Sequence, residues 1–234
     1  SYTTLTSVNS YATLDLQIDS PNSANWVALR SNYGGGGTII IEPLTNGGSI
    51  GLGTTGSTLN LPVYLFNGVG GTRKFADGFA NITIGSSSAG SIGVTGAGTF
   101  TDSVTVLSGS NITINASASV TTSQAGGNLV VAATGNFLNL AGSTALQTTD
   151  SGSTDRWIVY TANPTNANFG ATGTLVSGNK AFWGSTYSTL APTSTDLTAA
   201  TGNRYVFSTG GTVTVTTTNA SMTYGVPIDL SNNY

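Results

Sequence analysis

The sequence predicts an all-β chain built as a β-solenoid, a stack of short parallel strands. Its first support is a recurring phrase of one apolar, one small and one apolar residue: Ile50-Gly51-Leu52, Leu59-Asn60-Leu61, Ile82-Thr83-Ile84, Ile92-Gly93-Val94, Val104-Thr105-Val106, Ile112-Thr113-Ile114, Leu129-Val130-Val131 and Leu138-Asn139-Leu140. Alternation at period two is strand periodicity, because successive side chains point to opposite faces. The second support is spacing. From Ile112 the apolar marks fall at Val120, Leu129, Leu138 and Leu146, in steps of eight or nine residues. Strands so short cannot bury one face alone, and equal spacing implies that equivalent strands stack on one another. The third is composition. Only 6% of the 234 residues are charged, against roughly a quarter in ordinary globular proteins. Polarity comes from Thr, Ser, Asn and 32 Gly; Thr suits strands, and Gly and Asn suit corners. The periodic β-branched residues separate this chain from a disordered one.

Taken in order, residues 1–48 read as an N-terminal β section of early coils, with strands at 14–18, 26–29 and 38–41. The run Gly34 to Gly37 would cradle phosphate only before a helix and usually a Lys; a β-branched run follows instead, so it reads as a corner. Residues 49–150 read as the parallel β-helix. Ile92, Ile112 and Leu129 form one expected column, at steps of 20 and 17 residues, and Val104, Val120 and Leu138 a second. Each coil holds two or three strands, with Phe100 and Phe137 filling wide sections. No segment shows helical periodicity apart from a turn at 74–79.

The texture changes after residue 151. Residues 151–218 read as terminal coils or a cap: the bulky strand Asp155-Arg156-Trp157-Ile158-Val159-Tyr160, a loop at Asn163-Pro164-Thr165-Asn166, then Phe182, Trp183, Tyr187, Tyr205 and Phe207. This makes the C-terminal end an aromatic-rich, irregular β section. Tyr205-Val206-Phe207 and Thr212-Val213-Thr214-Val215-Thr216 read as a hairpin around Gly210-Gly211. Residues 219–234 read as the start of a following module. With no initiator Met and no signal peptide, the expectation is an internal segment of a longer protein.

The chain has no Cys and no His, which excludes thiolate and imidazole metal sites, Cys nucleophiles and His-based triads. A net charge of −3 with six scattered basic residues, Arg73-Lys74 being the one adjacent pair, gives no nucleic-acid patch. No stretch approaches the roughly 20 apolar residues of a membrane helix. No glycine-rich nonapeptide array for calcium occurs, so neither metal nor cofactor is expected.

Polysaccharide cleavage needs two or three clustered acids. The closest group is Asp150, Asp155 and Arg156, with Asp102 stacked nearby; these read as turn formers and a surface ion pair, and no enzyme activity is expected. Trp157, Tyr160, Trp183 and Tyr187 offer two readings, a glycan-stacking platform or closure of the core at the stack's end. Thr212, Thr214 and Thr216, with Thr99, Thr101 and Thr105, are too irregular for an ice-binding array. The sequons at Asn81, Asn111, Asn115 and Asn219 follow from an Asn-, Ser- and Thr-rich composition.

The ordered set Gly37-Thr38-Ile39-Ile40-Ile41-Glu42-Pro43, Ile50-Gly51-Leu52-Gly53, Phe79-Ala80-Asn81-Ile82-Thr83-Ile84-Gly85 and Gly98-Thr99-Phe100-Thr101-Asp102-Ser103-Val104-Thr105-Val106 resembles the β-helical passengers of filamentous-haemagglutinin-like bacterial exoproteins. The later phrases Asp155 to Tyr160, Gly178-Asn179 and Gly202 to Phe207 look like the end of such a passenger. Thr223-Tyr224-Gly225 resembles the opening of the Gly-rich repeat that follows it. The resemblance spans residues 37–234 and implies a right-handed parallel β-helix. It further implies a large, non-catalytic adhesin, secreted or on the bacterial cell surface, that mediates attachment or biofilm association. An outer-membrane secretion partner, host or matrix glycans, surface proteins and end-to-end self-association are the implied partners. A purely structural extracellular filament or stalk is the alternative, and a polysaccharide-processing β-helix the third reading.

Overall fold

In the computed structural model the recurring phrase becomes strand after strand, and every strand pair is parallel. The structure describes residues 13–19, 36–53, 56–67, 75, 77–125, 127–149, 154–170, 174–178, 180–199 and 201–211. The strands are β1 (Thr13–Gln17), β2 (Thr38–Glu42), β3 (Ile50–Leu52), β4 (Leu59–Leu61), β5 (Asn81–Ser86), β6 (Ile92–Val94), β7 (Ala97–Phe100), β8 (Val104–Ser108), β9 (Ile112–Ile114), β10 (Ser119–Thr122), β11 (Asn128–Ala133), β12 (Phe137–Asn139), β13 (Leu146–Thr148), β14 (Arg156–Thr161), β15 (Ala181–Trp183) and β16 (Arg204–Phe207). Among the described residues three single-turn α-helices, α1 (Tyr64–Asn67), α2 (Asn166–Phe169) and α3 (Thr195–Thr198), and a 3-10 turn at Gly142–Thr144 interrupt them. The expected strands at 26–29 and 212–216, Gly34, Gly35, Arg73-Lys74, Asp150 and residues 219–234 lie outside the described residues.

The chain is all-β, in three parallel sheets. The first runs β1-β2-β5-β8-β11-β14-β16-β15, the second β12-β9-β6-β3-β4, the third β13-β10-β7. From β5 to β14 successive strands fall in the first, second and third sheet in strict rotation. Apolar side chains pair in columns: Ile39, Ile82, Val104, Leu129 and Trp157 in the first sheet, and Leu59, Ile50, Ile92, Ile112 and Phe137 in the second. These columns are buried in one continuous core. Pairing is unbroken across residue 48, since β2 pairs with both β1 and β5.

Two expected columns are corrected. Ile92 and Ile112 do pair, but the next member is Phe137, while Leu129 stacks on Val104 in the first sheet. Val104, Val120 and Leu138 lie in three different sheets. The eight-to-nine-residue step measures passage from one sheet to the next, and return to the same sheet takes three strands. Leu138 is also out of phase. Phe137 and Asn139 point inward, fully buried, whereas Leu138 is half-buried and Leu140 is 58% exposed. A one-residue slip exchanges the faces of a strand. Buried Asn139 is tolerated because its carboxamide accepts from the amides of Ala141 and Gly142 (3.0 and 2.8 Å) and donates to the carbonyl of Gly142 (2.9 Å).

The expected turn at 74–79 is not helical where it is described. The helices stand elsewhere, and single turns are too short to print a 3.6-residue period. α1 delivers Phe66 onto Phe100 (centroids 4.4 Å) and Phe75 (5.2 Å), beside the β7 edge of the third sheet. At the other end, side chains stand in for a missing strand beyond β12. The amide of Phe137 donates to Thr161 Oγ1 (3.0 Å), and Asn168 Nδ2 donates to the Phe137 carbonyl (2.7 Å). An unpaired sheet edge is thereby closed.

After β15 the chain leaves the stack, and residues 184–199 cross the outer face of the first sheet. Leu190 and Leu197 pack there on Val130, Ala132, Ile158, Tyr160 and Val206, forming a second apolar core. All six positions of β14 are consequently buried. A strand covered on both faces reads as a continuous bulky run, which is why 155–160 stands out from the thin repeats before it. Farther back the same outer positions are Thr83 and Thr105.

Candidate functional site

The four aromatic residues proposed as a glycan platform are divided among three places. Trp157 points inward from β14, 4% exposed, with its ring 5.1 Å from Tyr205 at 71°; it closes the core and faces no solvent. Tyr160, three residues on, lies on the opposite face. It is buried at 2% exposure, its hydroxyl donates to the Leu190 carbonyl at 2.7 Å, and its ring meets Tyr187 edge-on at 5.5 Å. Trp183 is 46% exposed at the last strand, 4.7 Å from Phe207. It lines an end groove of about 350 Å³ with Phe169, Val176 and Tyr205. Only Tyr160 and Tyr187 come together. Proximity in sequence suggested one platform; the period of two places the members on opposite faces of one sheet.

Tyr160 and Tyr187 border a cavity of about 230 Å³ between the outer face of the first sheet and residues 185–188. Its floor is Leu107 and Ala132, with the backbone beside Ala133 at its edge. Leu107, Ala132 and Tyr160 are direct cross-strand neighbours on β8, β11 and β14, so strand register builds this surface. The cavity starts at Leu107, where the second core thins and its apolar side chain is only half-buried. Hydroxyls of Ser87, Thr134 and Ser188 stand exposed around it. Thr186 Oγ1 bonds Ser188 Oγ (3.0 Å) and Thr189 Oγ1 (3.1 Å), which fixes the turn carrying Tyr187. Burial pushes both phenols up from their ordinary value, so both stay neutral donors near pH 7. Sequence reading missed Leu107 and the serines. The one available signal was the apolar residue directly after Val106, at a position that alternation assigns to the outside.

Asp102 and Asp155 do not converge, and Asp150 lies outside the described residues. Asp102 and Asp155 occupy equivalent positions, each two residues before the aligned Val104 and Trp157, with the strand of Leu129 between them. Two strand spacings, roughly 10 Å, separate such positions. Arg156 and Arg204 turn to backbone carbonyls instead: Arg156 Nη1 donates to Leu197 (2.6 Å), and Arg204 Nη1 to Thr201, Gly202 and Asn203 (3.0, 2.6 and 2.8 Å). Arg156 is buried, so its expected role as a surface ion partner is corrected: its guanidinium closes the C-terminal carbonyls of α3 under the crossing segment.

Asp102 is fully buried, with Oδ1 accepting from the Gly78 amide (2.8 Å) and Oδ2 unpartnered among the described residues. Burial, and secondarily the charge of Asp77, raise its pKa from 3.8 to about 6. A raised carboxyl pKa means that folding favours the protonated form. The stabilisation is complete below about pH 4 and is lost as pH rises through 6. Urea melts are therefore expected to show stability rising from pH 7.5 to 5. Asp102→Asn, which keeps the Gly78 contact without charge, is expected to be the more stable protein at pH 7.5 and to flatten that profile. A variant that is weaker at every pH would contradict the assignment.

Comparison with protein-family models, with curated proteins and with solved structures finds no match.

Proposed function

We propose that this chain is a right-handed parallel β-helix from a large, non-catalytic bacterial adhesin, secreted or displayed on the cell surface, that attaches through glycans. The observation that carries the reading is the strict rotation of strands through three parallel sheets, which builds a repetitive body with little charge and long outer faces. The cavity of tyrosines and hydroxyls on one such face supports attachment, and the separation of Asp102 from Asp155 supports a body without acid–base catalysis. Export through an outer-membrane partner belongs to the same reading and rests on the resemblance of residues 37–234 to filamentous-haemagglutinin-like proteins.

A structural filament is the second reading. It is favoured by the end groove, where Trp183 and Val176 remain 46% and 59% exposed beside the outermost strand. Glycan arrays and electron microscopy of the purified chain separate the two. Saturable binding by single particles is expected; end-to-end fibres without glycan binding would favour the filament. New reducing ends or unsaturated products from a polysaccharide panel would overturn the non-catalytic reading.

A further inference from the structure

The cavity beside Tyr187 combines three chemistries. Its floor is hydrocarbon from Leu107 and Ala132, its wall is aromatic, and its mouth carries the hydroxyls of Ser87, Thr134 and Ser188. No residue lining it carries a charge. A matching ligand presents an apolar face to a ring, hydroxyls around its edge and no net charge. At about 230 Å³ the space is smaller than the roughly 300–1,000 Å³ of pockets for drug-sized molecules, which suits a single ring.

We infer that the cavity binds one neutral pyranose ring, as the end or a side branch of a glycan. The C–H face of the sugar lies against Tyr187, and its hydroxyls exchange hydrogen bonds with the hydroxyls at the mouth. Tyr160 is a positioning residue: its hydroxyl is committed to the Leu190 carbonyl at 2.7 Å, and its ring holds Tyr187 edge-on. A uronic or sialic acid would bring a carboxylate over a hydrocarbon floor with no counter-charge, which is unfavourable. The end groove at Trp183 is the poorer sugar site. It includes Lys180 and Val176, and the backbone of Gly211 already lies against the indole, where an added Cβ would sit 3.2 Å from Trp183 Cδ2. This inference rests on the adhesive reading and specifies its ligand class and site.

The test is saturation-transfer NMR with calorimetry on the full chain. The probes are the methyl glycosides of glucose, galactose, mannose and N-acetylglucosamine, with glucuronic acid and sialic acid as charged probes. At least one neutral glycoside is expected to bind saturably in the millimolar range. Tyr187→Ala is expected to weaken that binding at least about tenfold, as truncating an aromatic anchor does. Ser87→Trp, which blocks the mouth from an exposed position, is expected to do the same with an unchanged melting temperature; Trp183→Ala is expected to bind normally. Binding that survives Ser87→Trp and Tyr187→Ala but is lost in Trp183→Ala would move the site to the end groove and leave adhesion standing. Preference for the charged sugars would overturn the ligand class. Glycan-array binding with no response to any monosaccharide probe would overturn the single-ring site alone. Silence in both experiments would overturn the adhesive reading with it.

Discussion

Ile114→Asp is expected to unfold the chain at room temperature or lower its stability by several kcal/mol, while Thr113→Asp, one residue away, leaves the melt nearly unchanged. Ile114 is fully buried on β9, between Val94 and Asn139 in the second sheet. A carboxylate there loses the hydrocarbon contact and gains no counter-charge, and its polar neighbour Asn139 is already bonded to its own turn; burying an unpaired charge is among the few mechanisms that cost more than about 4 kcal/mol. Thr113 faces outward between Gly93 and Leu138 and is half-buried. Urea melts followed by circular dichroism decide the matter. Equal midpoints for the two variants would mean that the faces of β9 are assigned the wrong way round.

Gly85→Ala is expected to cost far more than Gly47→Ala, although both glycines hold left-handed backbone, with φ +86° and +74°. For an L residue that conformation alone costs about 1–2 kcal/mol. At Gly47 nothing lies within 4 Å of an added Cβ, so only this strain applies. At Gly85 the Cβ would meet the Leu107 carbonyl oxygen at 2.2 Å, with Ile92 Cδ1 and Ile50 Cδ1 at 3.0 and 3.1 Å. The isoleucine methyls can turn aside, but the carbonyl is backbone of the neighbouring strand, held in its ladder beside Gly85, and cannot move without parting the strands. A loss of several kcal/mol is expected at Gly85, measured by thermal melts of the two variants side by side. Similar losses would show that backbone strain acts alone and that the sheets can spread at this point.

Much of the fold was readable in the sequence, because one face of each strand is buried and alternation records it. Ile82, Val104 and Ile112 fell where the phrase places them. Reading failed where a second demand overrode alternation. Phe137 and Asn139 took the inward positions expected of Leu138 and Leu140, since a turn-bonded carboxamide can be buried while leucine at a corner stays out. Val130 and Ile158 are apolar on the outer face because Leu190 and Leu197, far later in the chain, cover them, and no local pattern announces distant cover. The cavity was half legible for the same reason. Tyr160 and Tyr187 were singled out by residue type, but Leu107 and Ser87 join them only through strand register and the crossing of 185–188. Asp102 and Asp155 looked close because they stand at equivalent strand starts; β11 between them shows only when the strands are counted sheet by sheet.

The crossing segment also changes how the chain would respond to tension. Parallel strands pulled from their ends separate one at a time, like turns of thread drawn off a spool. Residues 184–199 prevent that at the C-terminal end. Leu190 and Leu197 grip side chains from β11, β14 and β16 together, with the Tyr160 hydroxyl on Leu190 and the Arg156 guanidinium on Leu197. These three strands therefore yield as one unit, whereas β1, β2 and β5 carry no such strap among the described residues and unwind singly. A protein fixed at one end and pulled at the other would give up its N-terminal strands first, keeping the strapped end, and the cavity beneath it, intact under load.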